Sequence, residues 1–469
     1  MLVGLGFVSL FGEGAVIRSK AGRGFAARAL SALMRRPGPV GALAGVAVIV
    51  AASLTLLRIN TNRHFSYASA LAITDPSMTV ISSMVERGDL WGASARVGSS
   101  YRFDQPAGLM ALRRFSVLVL RRGLQEYDPF ERCYAASALA AAGDRDEIAQ
   151  LVKIFQGTRK PDLKMAAADG LGDVGDADAV EALEQLYSWT DPSHRRVVVN
   201  GVAEAHDPGA IELLTHALTV SDQMTRLTAA RGLGQLGNRG AIRVLRRFQA
   251  GAQDPFEKAT AAYSLLRLGD RAAEEIAEAI LRGRVDDDAR AMAAVALGRA
   301  RDPRVVTLLR EAMRDHNIDV RIGAAVALTH YDAPAGAAYL RAAIRDGDSI
   351  TQLHVGQLLD EVDFQTAREV VMAAVASPDP DLSLLGIRAI GLLGGAGDVG
   401  FLVGLSDGTI DPIARAEVAW ALGRIGTAGS VVPLIAMVSD PDRTVRYTAA
   451  DALDRAAIRL LGGEGAGGA

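Results

Sequence analysis

The hydrophobic pattern of the chain repeats with a nearly constant period after residue 128. The stretch DPFEKATAAYSLLRLGD (254–270) returns as DDDARAMAAVALGRARD (286–302) and again as DPIARAEVAWALGRIG (411–426). Aligned on an AAxAL-like core, the copies begin at residues 128, 160, 191, 222, 254, 286, 317, 348, 379, 411 and 442, always 31 or 32 residues apart. Eleven copies at this period predict a solenoid of stacked units rather than a set of globular domains.

Each copy predicts two helices. We number the columns of a copy from its first residue, column 0, which is usually Asp and often precedes Pro, a helix-start signal. Columns 7, 8 and 10 are small, column 11 is aliphatic, and a Gly-Asp or similar turn ends the helix. A second amphipathic helix follows, such as AVEALEQLY (179–187). At about 100° per residue, columns 4, 7, 8 and 11 share the packed side of the first helix, and columns 2, 6, 9 and 13 share the other.

The repeat resembles HEAT repeats, particularly the short type named after phycobilin lyases. The resemblance implies an all-α fold: an α-α superhelix, a HEAT-like solenoid of about 11 repeats, over residues 104–461. It also implies that the first helix of each copy lines the concave side. For function it is unspecific, because the family serves many partners.

The segment before the repeats is apolar. VGALAGVAVIVAASLTLL (40–57) has 18 residues without a charge, which span about 27 Å as a helix, close to the ~30 Å core of a bilayer. More basic residues precede it (Lys20, Arg23, Arg28, Arg35, Arg36) than follow it (Arg58, Arg63). By the positive-inside rule, the sequence predicts one transmembrane helix in the inner (cell) membrane, with the repeats on the extracytoplasmic side.

The remaining segments complete the predicted organisation. Residues 1–39 are a basic N-terminal segment, 58–103 a spacer or irregular cap, and 462–469 a flexible Gly-rich tail. Two alternatives to the anchor stay open. One is a signal peptide that starts at Met34 and is cut after Ser53. The other is a buried helix of a soluble protein.

Composition and motifs argue against several activities. The net charge of −3 gives no electrostatic footprint for nucleic acid. The single cysteine, Cys133, excludes an internal disulfide framework, and we expect it to be a packed core residue. No HExxH, phosphate-binding loop or G-x-S-x-G motif occurs, and the histidines are scattered. The sequence therefore predicts no catalytic, cofactor or metal residues, and a protein that is not an enzyme.

The candidate binding surface comes from columns 9 and 13. Copies 2 and 3 place Asp169, Asp173, Asn200 and Glu204 there. From copy 4 onward these columns carry basic and aromatic residues, which are typical of protein interfaces: Arg231, Tyr263, Arg267, Arg299, His330, Gln357, Arg388, Trp420, Arg424 and Arg455. A solvated face without a partner is the alternative. The basic residues of column 4, by contrast, lie on the packed side, and we expect them to lock successive copies together through an Asp/Arg ladder.

Copies 8 and 9 depart from the pattern, because Gln352 and Ser383 replace the basic residue of column 4. A docking patch, a hinge and an ordinarily packed repeat that has drifted remain possible interpretations.

These features together predict a membrane-anchored scaffold or adaptor that binds a protein partner, such as another membrane or envelope protein, on its concave face. The alternative is a lyase or chaperone-like protein that acts on a tetrapyrrole-bearing protein.

Overall fold

The computed structural model describes residue 72 and residues 75–190, 194–205, 207, 209–331 and 334–462. Within these residues the chain forms 24 α-helices, four short 3-10 helices and no strand, which confirms the predicted all-α solenoid. None of the described helices is long and apolar enough to cross a membrane. The predicted transmembrane helix (40–57) and basic segment (1–39) lie outside the described residues, as does the predicted tail beyond Gly462.

The first helices of the eleven copies stack side by side in one layer. They are α4 (Pro129–Ala142), α6 (Pro161–Val174), α8 (Arg195–Glu204), α10 (Gln223–Gln235), α12 (Pro255–Arg267), α14 (Asp287–Leu297), α16 (Ile318–Thr329), α18 (Ser349–Gln357), α20 (Pro380–Leu393), α22 (Pro412–Ile425) and α24 (Arg443–Gly462).

The second helices form another layer behind the first. They are α5 (Asp146–Gly157), α7 (Ala177–Trp189), α9 (Ala210–Ala217), α11 (Ile242–Gly251), α13 (Glu274–Arg282), α15 (Val305–Ala312), α17 (Pro334–Asp346), α19 (Phe364–Val375), α21 (Val399–Gly408) and α23 (Ala428–Met437).

Column 0 caps most of the first helices, as its residue type predicts. The carboxylate of Asp254, for example, accepts the backbone N–H groups of Phe256 and Glu257 at 2.7 and 3.1 Å. Asn317 caps α16 in the same way. Lys160 makes no side-chain cap, and there Pro161 at the first helical position is the only start signal.

Small residues on the packed side let neighbouring first helices approach closely. In α10, Ala229, Ala230 and Leu233 are completely buried. Their positions are columns 7, 8 and 11, so the packed side was correctly derived from helical periodicity.

Three helices precede the repeats: α1 (Pro76–Arg87), α2 (Leu90–Ser100) and α3 (Pro106–Gly123). The predicted spacer or irregular cap, 58–103, is therefore largely helical in its described part, from residue 75 onward. Asp75 and Asp89 start α1 and α2 by accepting the N–H groups of Met78 and Gly92. The region lacks the 31-residue pattern, so repeat counting overlooked α1 and α2, whereas α3 lies within the predicted solenoid range, 104–461.

The last copy packs against the first, so the solenoid closes on itself. Helix α24 contacts α3 and α4, and α2 contacts α23. Phe115 of α3, Leu139 of α4 and Leu453 of α24 belong to one hydrophobic core. A concave face was expected from the sequence, but the closure of the solenoid into a ring was not predicted.

Polar contacts reinforce this closure between α24 and the helices α3 and α4. Arg113 pairs with Asp454, with Nε–Oδ1 at 2.8 Å, and both side chains are almost fully buried. Tyr447 donates its hydroxyl to Glu126 at 2.5 Å. At Gly123 a side chain would not fit, because a Cβ there would lie 2.8 Å from the Cβ of Ala135. Helices α3 and α4 can therefore approach each other this closely only because residue 123 is glycine.

Candidate functional site

The candidate binding residues lie on the first helices, and side chains from several copies meet across the ring. We call this surface, formed by columns 9 and 13, the inner lining. Its residues differ in accessibility. Arg231, Arg267, Gln357 and Arg388 are exposed, Tyr263 is buried, and the other five are half-buried. The lining is thus partly filled by its own side chains.

Four residues surround Glu361, and together with it they form what we call the Glu361 cluster: Tyr263, Arg267, Arg299, His330 and Glu361. The hydroxyl of Tyr263 and the guanidinium of Arg299 both donate to Glu361. Arg267 lies 3.9 Å from the same carboxylate and donates to the Tyr263 hydroxyl at 3.1 Å. A ring nitrogen of His330 lies 2.6 Å from the Glu361 backbone carbonyl. Residues of copies 5, 6 and 7 therefore all contact Glu361 of copy 8.

The electrostatics of the cluster favour an ionised Glu361. Burial alone would raise the pKa of this carboxyl, but the charge and hydrogen bond of Arg299 and the hydrogen bond of Tyr263 hold it below its ordinary value. Burial, followed by the charge of Glu361, raises the pKa of Tyr263 to about 12. Burial and the neighbouring Arg299 lower the pKa of His330. At neutral pH the cluster is a carboxylate held by two guanidinium groups and a phenol.

Trp420 lies between two arginines on the next part of the lining. The guanidinium carbons of Arg388 and Arg424 lie 5.0 and 5.8 Å from its ring centroid, within the range of a cation–π interaction. The ring rests on Gly391, where a Cβ would come within 2.7 Å of it. Arg388 is also 3.8 Å from Glu417 and keeps over half of its side chain exposed. Trp420 is half-buried, so it contributes to packing as well as to the surface.

The acidic residues of copies 2 and 3 face the arginines of copies 10 and 11 across the closure. Arg455 pairs with Asp451 on its own helix at 3.0 Å and reaches Asp173 of α6 at 3.5 Å. The side-chain amide of Asn200 donates to Asp169 at 3.0 Å. The acidic and basic ends predicted from the sequence are thus neighbours in the ring and partly neutralise each other.

Glu361 was missed in the sequence analysis although it stands in column 13 of copy 8. The pattern there is basic and aromatic, so an acidic residue did not fit the expected surface. Its partners are 31 to 98 residues away in the chain, and periodicity within one copy gives no information on such contacts. The sequence did contain a signal: Glu361 is the only acidic residue in columns 9 and 13 of copies 4 to 10.

A family model described as HEAT repeats matches residues 117–190, 188–266, 274–357 and 404–463, together more than half of the chain. The chain belongs to the HEAT-repeat family. A comparison with curated protein sequences found no significant match.

Three solved structures are similar to parts of this chain. The phycocyanin lyase complex of CpcE and CpcF from Nostoc has a TM-score of 0.37 and 18% identity, covering 48% of this chain and 92% of that chain. Human deoxyhypusine hydroxylase has a TM-score of 0.29 and 20% identity, covering 68% and 98%. Kap95p, from a structure with RanGDP, has a TM-score of 0.30 and 12% identity, covering 88% and 62%. These TM-scores are too low to carry an argument about function.

The basic residues of column 4 lock the HEAT repeats together, as expected, but mainly through other partners than column 0. Arg415 donates to the backbone carbonyls of Thr409 and Ile410, the two residues before its own copy, and pairs with Asp440 before the next copy at 2.8 Å. Four further arginines of column 4 donate to the same two carbonyl positions of their copies: Arg132, Arg226, Arg321 and Arg446. The column is structural.

One group of potential metal ligands exists among the described residues of these repeats. Ligand atoms of Asp287, Asp315 and His316 lie within 4.8 Å of one another. Arg290 forms salt bridges with both carboxylates. The acidic charge of this group is thus already compensated by an arginine.

Proposed function

We propose that this HEAT-repeat protein is a scaffold or adaptor that binds a protein partner through its inner lining. HEAT repeats generally bind protein partners, and membership of this family supports protein binding in general. The observation that carries the finer statement is the unit of Trp420 between Arg388 and Arg424. Tryptophan and arginine dominate the energetics of protein interfaces, and here they are presented together with an exposed guanidinium.

The chemistry of the lining favours a partner with acidic side chains. Arg231, Arg267 and Arg388 are exposed, and Arg388 keeps over half of its side chain accessible although Glu417 lies 3.8 Å away. An acidic segment would gain charge-assisted hydrogen bonds to these guanidinium groups.

We further propose that the activity is binding rather than catalysis, and that residues 40–57 anchor the chain in the inner (cell) membrane with the repeats on the extracytoplasmic side.

A crosslinking pull-down with the full chain tests the binding proposal. Arg388→Glu reverses an exposed charge on the lining, and the matched control Arg341→Glu reverses one on a second helix, where Arg341 pairs with Glu369. We expect the first variant to lose its partner and the second to keep it. Equal recovery from both would refute the inner lining as the binding surface.

Fractionation tests the anchor separately. We expect the protein in the membrane fraction, with the repeats digested by protease added to intact spheroplasts. Protection of the repeats would refute the topology. A chromophore retained through purification would favour the alternative function, a lyase or chaperone-like protein for a tetrapyrrole-bearing protein.

A further inference from the structure

The Glu361 cluster has the composition of a carboxylate-binding site that is already filled. Its donors are the Tyr263 hydroxyl and the guanidinium groups of Arg267 and Arg299. The first two come from the last turn of α12, and Arg299 follows the end of α14 by two residues. The carboxylate arrives from a different copy, 62 residues beyond Arg299 and 98 beyond Tyr263. Arginine and tyrosine side chains that donate to one carboxylate form a site that can bind a carboxylate from this chain or from another chain.

The segment that delivers Glu361 departs from the regular pattern of the repeats. Helix α18 has only nine residues, of which Thr351, Val355 and Gly356 are buried. A one-turn 3-10 helix, Leu359–Glu361, follows it and has no side-chain cap. Gln352 replaces the column-4 arginine that locks other copies, and it donates to the carbonyl of Ile344 instead. Copy 8 therefore lacks the column-4 arginine contacts that fix copies 1, 4, 7, 10 and 11.

We propose that Tyr263, Arg267 and Arg299 form a carboxylate-binding site that Glu361 occupies in cis, and that an acidic segment of the protein partner displaces it. This inference rests on the proposed function, because it names the site through which the lining recognises its partner. The exposed guanidinium of Arg231 lies nearby, in the field of Asp360, and extends the positive surface toward solvent. A partner segment with several carboxylates can therefore contact more arginines than Glu361 does alone.

Occupation in cis lowers the apparent affinity for a competing acid by the fraction of molecules in which the site is free. If Glu361 fills the site in about nine of ten molecules, its removal strengthens binding about tenfold. Glu361→Gln removes the charge and keeps the shape. Glu369→Gln is the matched control, because it removes an exposed glutamate that pairs with Arg341 away from the lining.

The experiment measures binding of fluorescently labelled hexaglutamate to the full chain by anisotropy, with hexaglutamine as the uncharged probe. We expect Glu361→Gln to bind hexaglutamate about tenfold more tightly than the unmodified protein, Glu369→Gln to bind it unchanged, and a second change, Arg299→Ala, to abolish the gain. A folded Glu361→Gln variant without a gain would overturn the proposal, and so would an equal gain for hexaglutamine.

Hydrogen exchange on the unmodified protein keeps the proposal testable if Glu361→Gln does not fold. We expect hexaglutamate to accelerate exchange at Leu359–Glu361 and in α18, because the displaced segment leaves its partners. Unchanged exchange at saturating peptide would show that Glu361 is a fixed structural brace. If that happens while Arg388→Glu still loses the partner, the proposed function stands and only the cis-occupied site is refuted.

Discussion

The salt bridge between Arg113 and Asp454 gives a direct test of ring closure. Arg113→Ala would leave the Asp454 carboxylate buried without its cation, since the two side chains are only 1% and 3% exposed. It would also remove the hydrogen bond from Arg113 to the Ala142 carbonyl, 2.9 Å long. Breaking a buried ion pair by removing one partner costs about 3–5 kcal/mol. Nη1 of Arg113 is buried and has no hydrogen-bond partner among the described residues, so we expect the lower end, about 3 kcal/mol.

The assay is urea denaturation followed by circular dichroism, together with small-angle X-ray scattering of the native state. Arg102→Ala is the matched control, because its salt bridge with Asp104 is exposed and its loss should leave the free energy of unfolding nearly unchanged. We expect the double variant Arg113→Met and Asp454→Leu to recover most of the loss, because it leaves no unpaired charge. If Arg113→Ala destabilises no more than Arg102→Ala, the closure is not a stabilising contact, and the argument from burial fails.

Three further predictions concern packing and reactivity. Arg290→Ala should lower the free energy of unfolding by about 1–3 kcal/mol in urea denaturation, because it strands the carboxylate of Asp315; an unchanged midpoint would contradict the structural role of column 4. Gly123→Leu should increase the radius of gyration in scattering, because the new side chain meets Ala135 of α4 and Tyr447 of α24 at the closure; an unchanged radius would show that the closure accommodates the side chain without opening. The Cys133 thiol should resist a disulfide reagent at pH 8 and react after unfolding. Burial, with a smaller contribution from the charge of Asp169, raises the pKa of this thiol to about 12. Rapid labelling of the native protein would refute its burial.

Closure of the ring brings the acidic and basic residues of the inner lining next to each other. In an open solenoid, the acidic residues of copies 2 and 3 would lie far from the arginines of the last copies. Closure brings Asp173 within 3.5 Å of Arg455. Under the proposed function, an acidic partner has to compete with internal ion pairs, which lowers the affinity gained from each charge and disfavours partners that cannot supply acids.

The local structure of this protein follows from its sequence because each copy repeats the same short-range instructions. Column 0 marks the helix start, columns 7, 8 and 11 mark the packed side, and a turn residue marks the end. These depend on the geometry of one helix, so the period alone predicted the solenoid. The three helices α1 to α3 lie outside the period, and their local start signals were the caps Asp75 and Asp89 and the prolines that begin α1 and α3.

Closure and the Glu361 cluster were decided by tertiary structure alone. Whether two ends of a solenoid meet depends on the small rotation between successive copies, summed over eleven of them, and no single copy encodes that sum. Arg113 and Asp454 are 341 residues apart in the chain and lie opposite each other only after the last copy has been placed. The sequence by itself therefore determined which helices form and which side of each is buried. The accumulated geometry of the stack determined which side chains meet across the ring, and with it which surface remains for a partner.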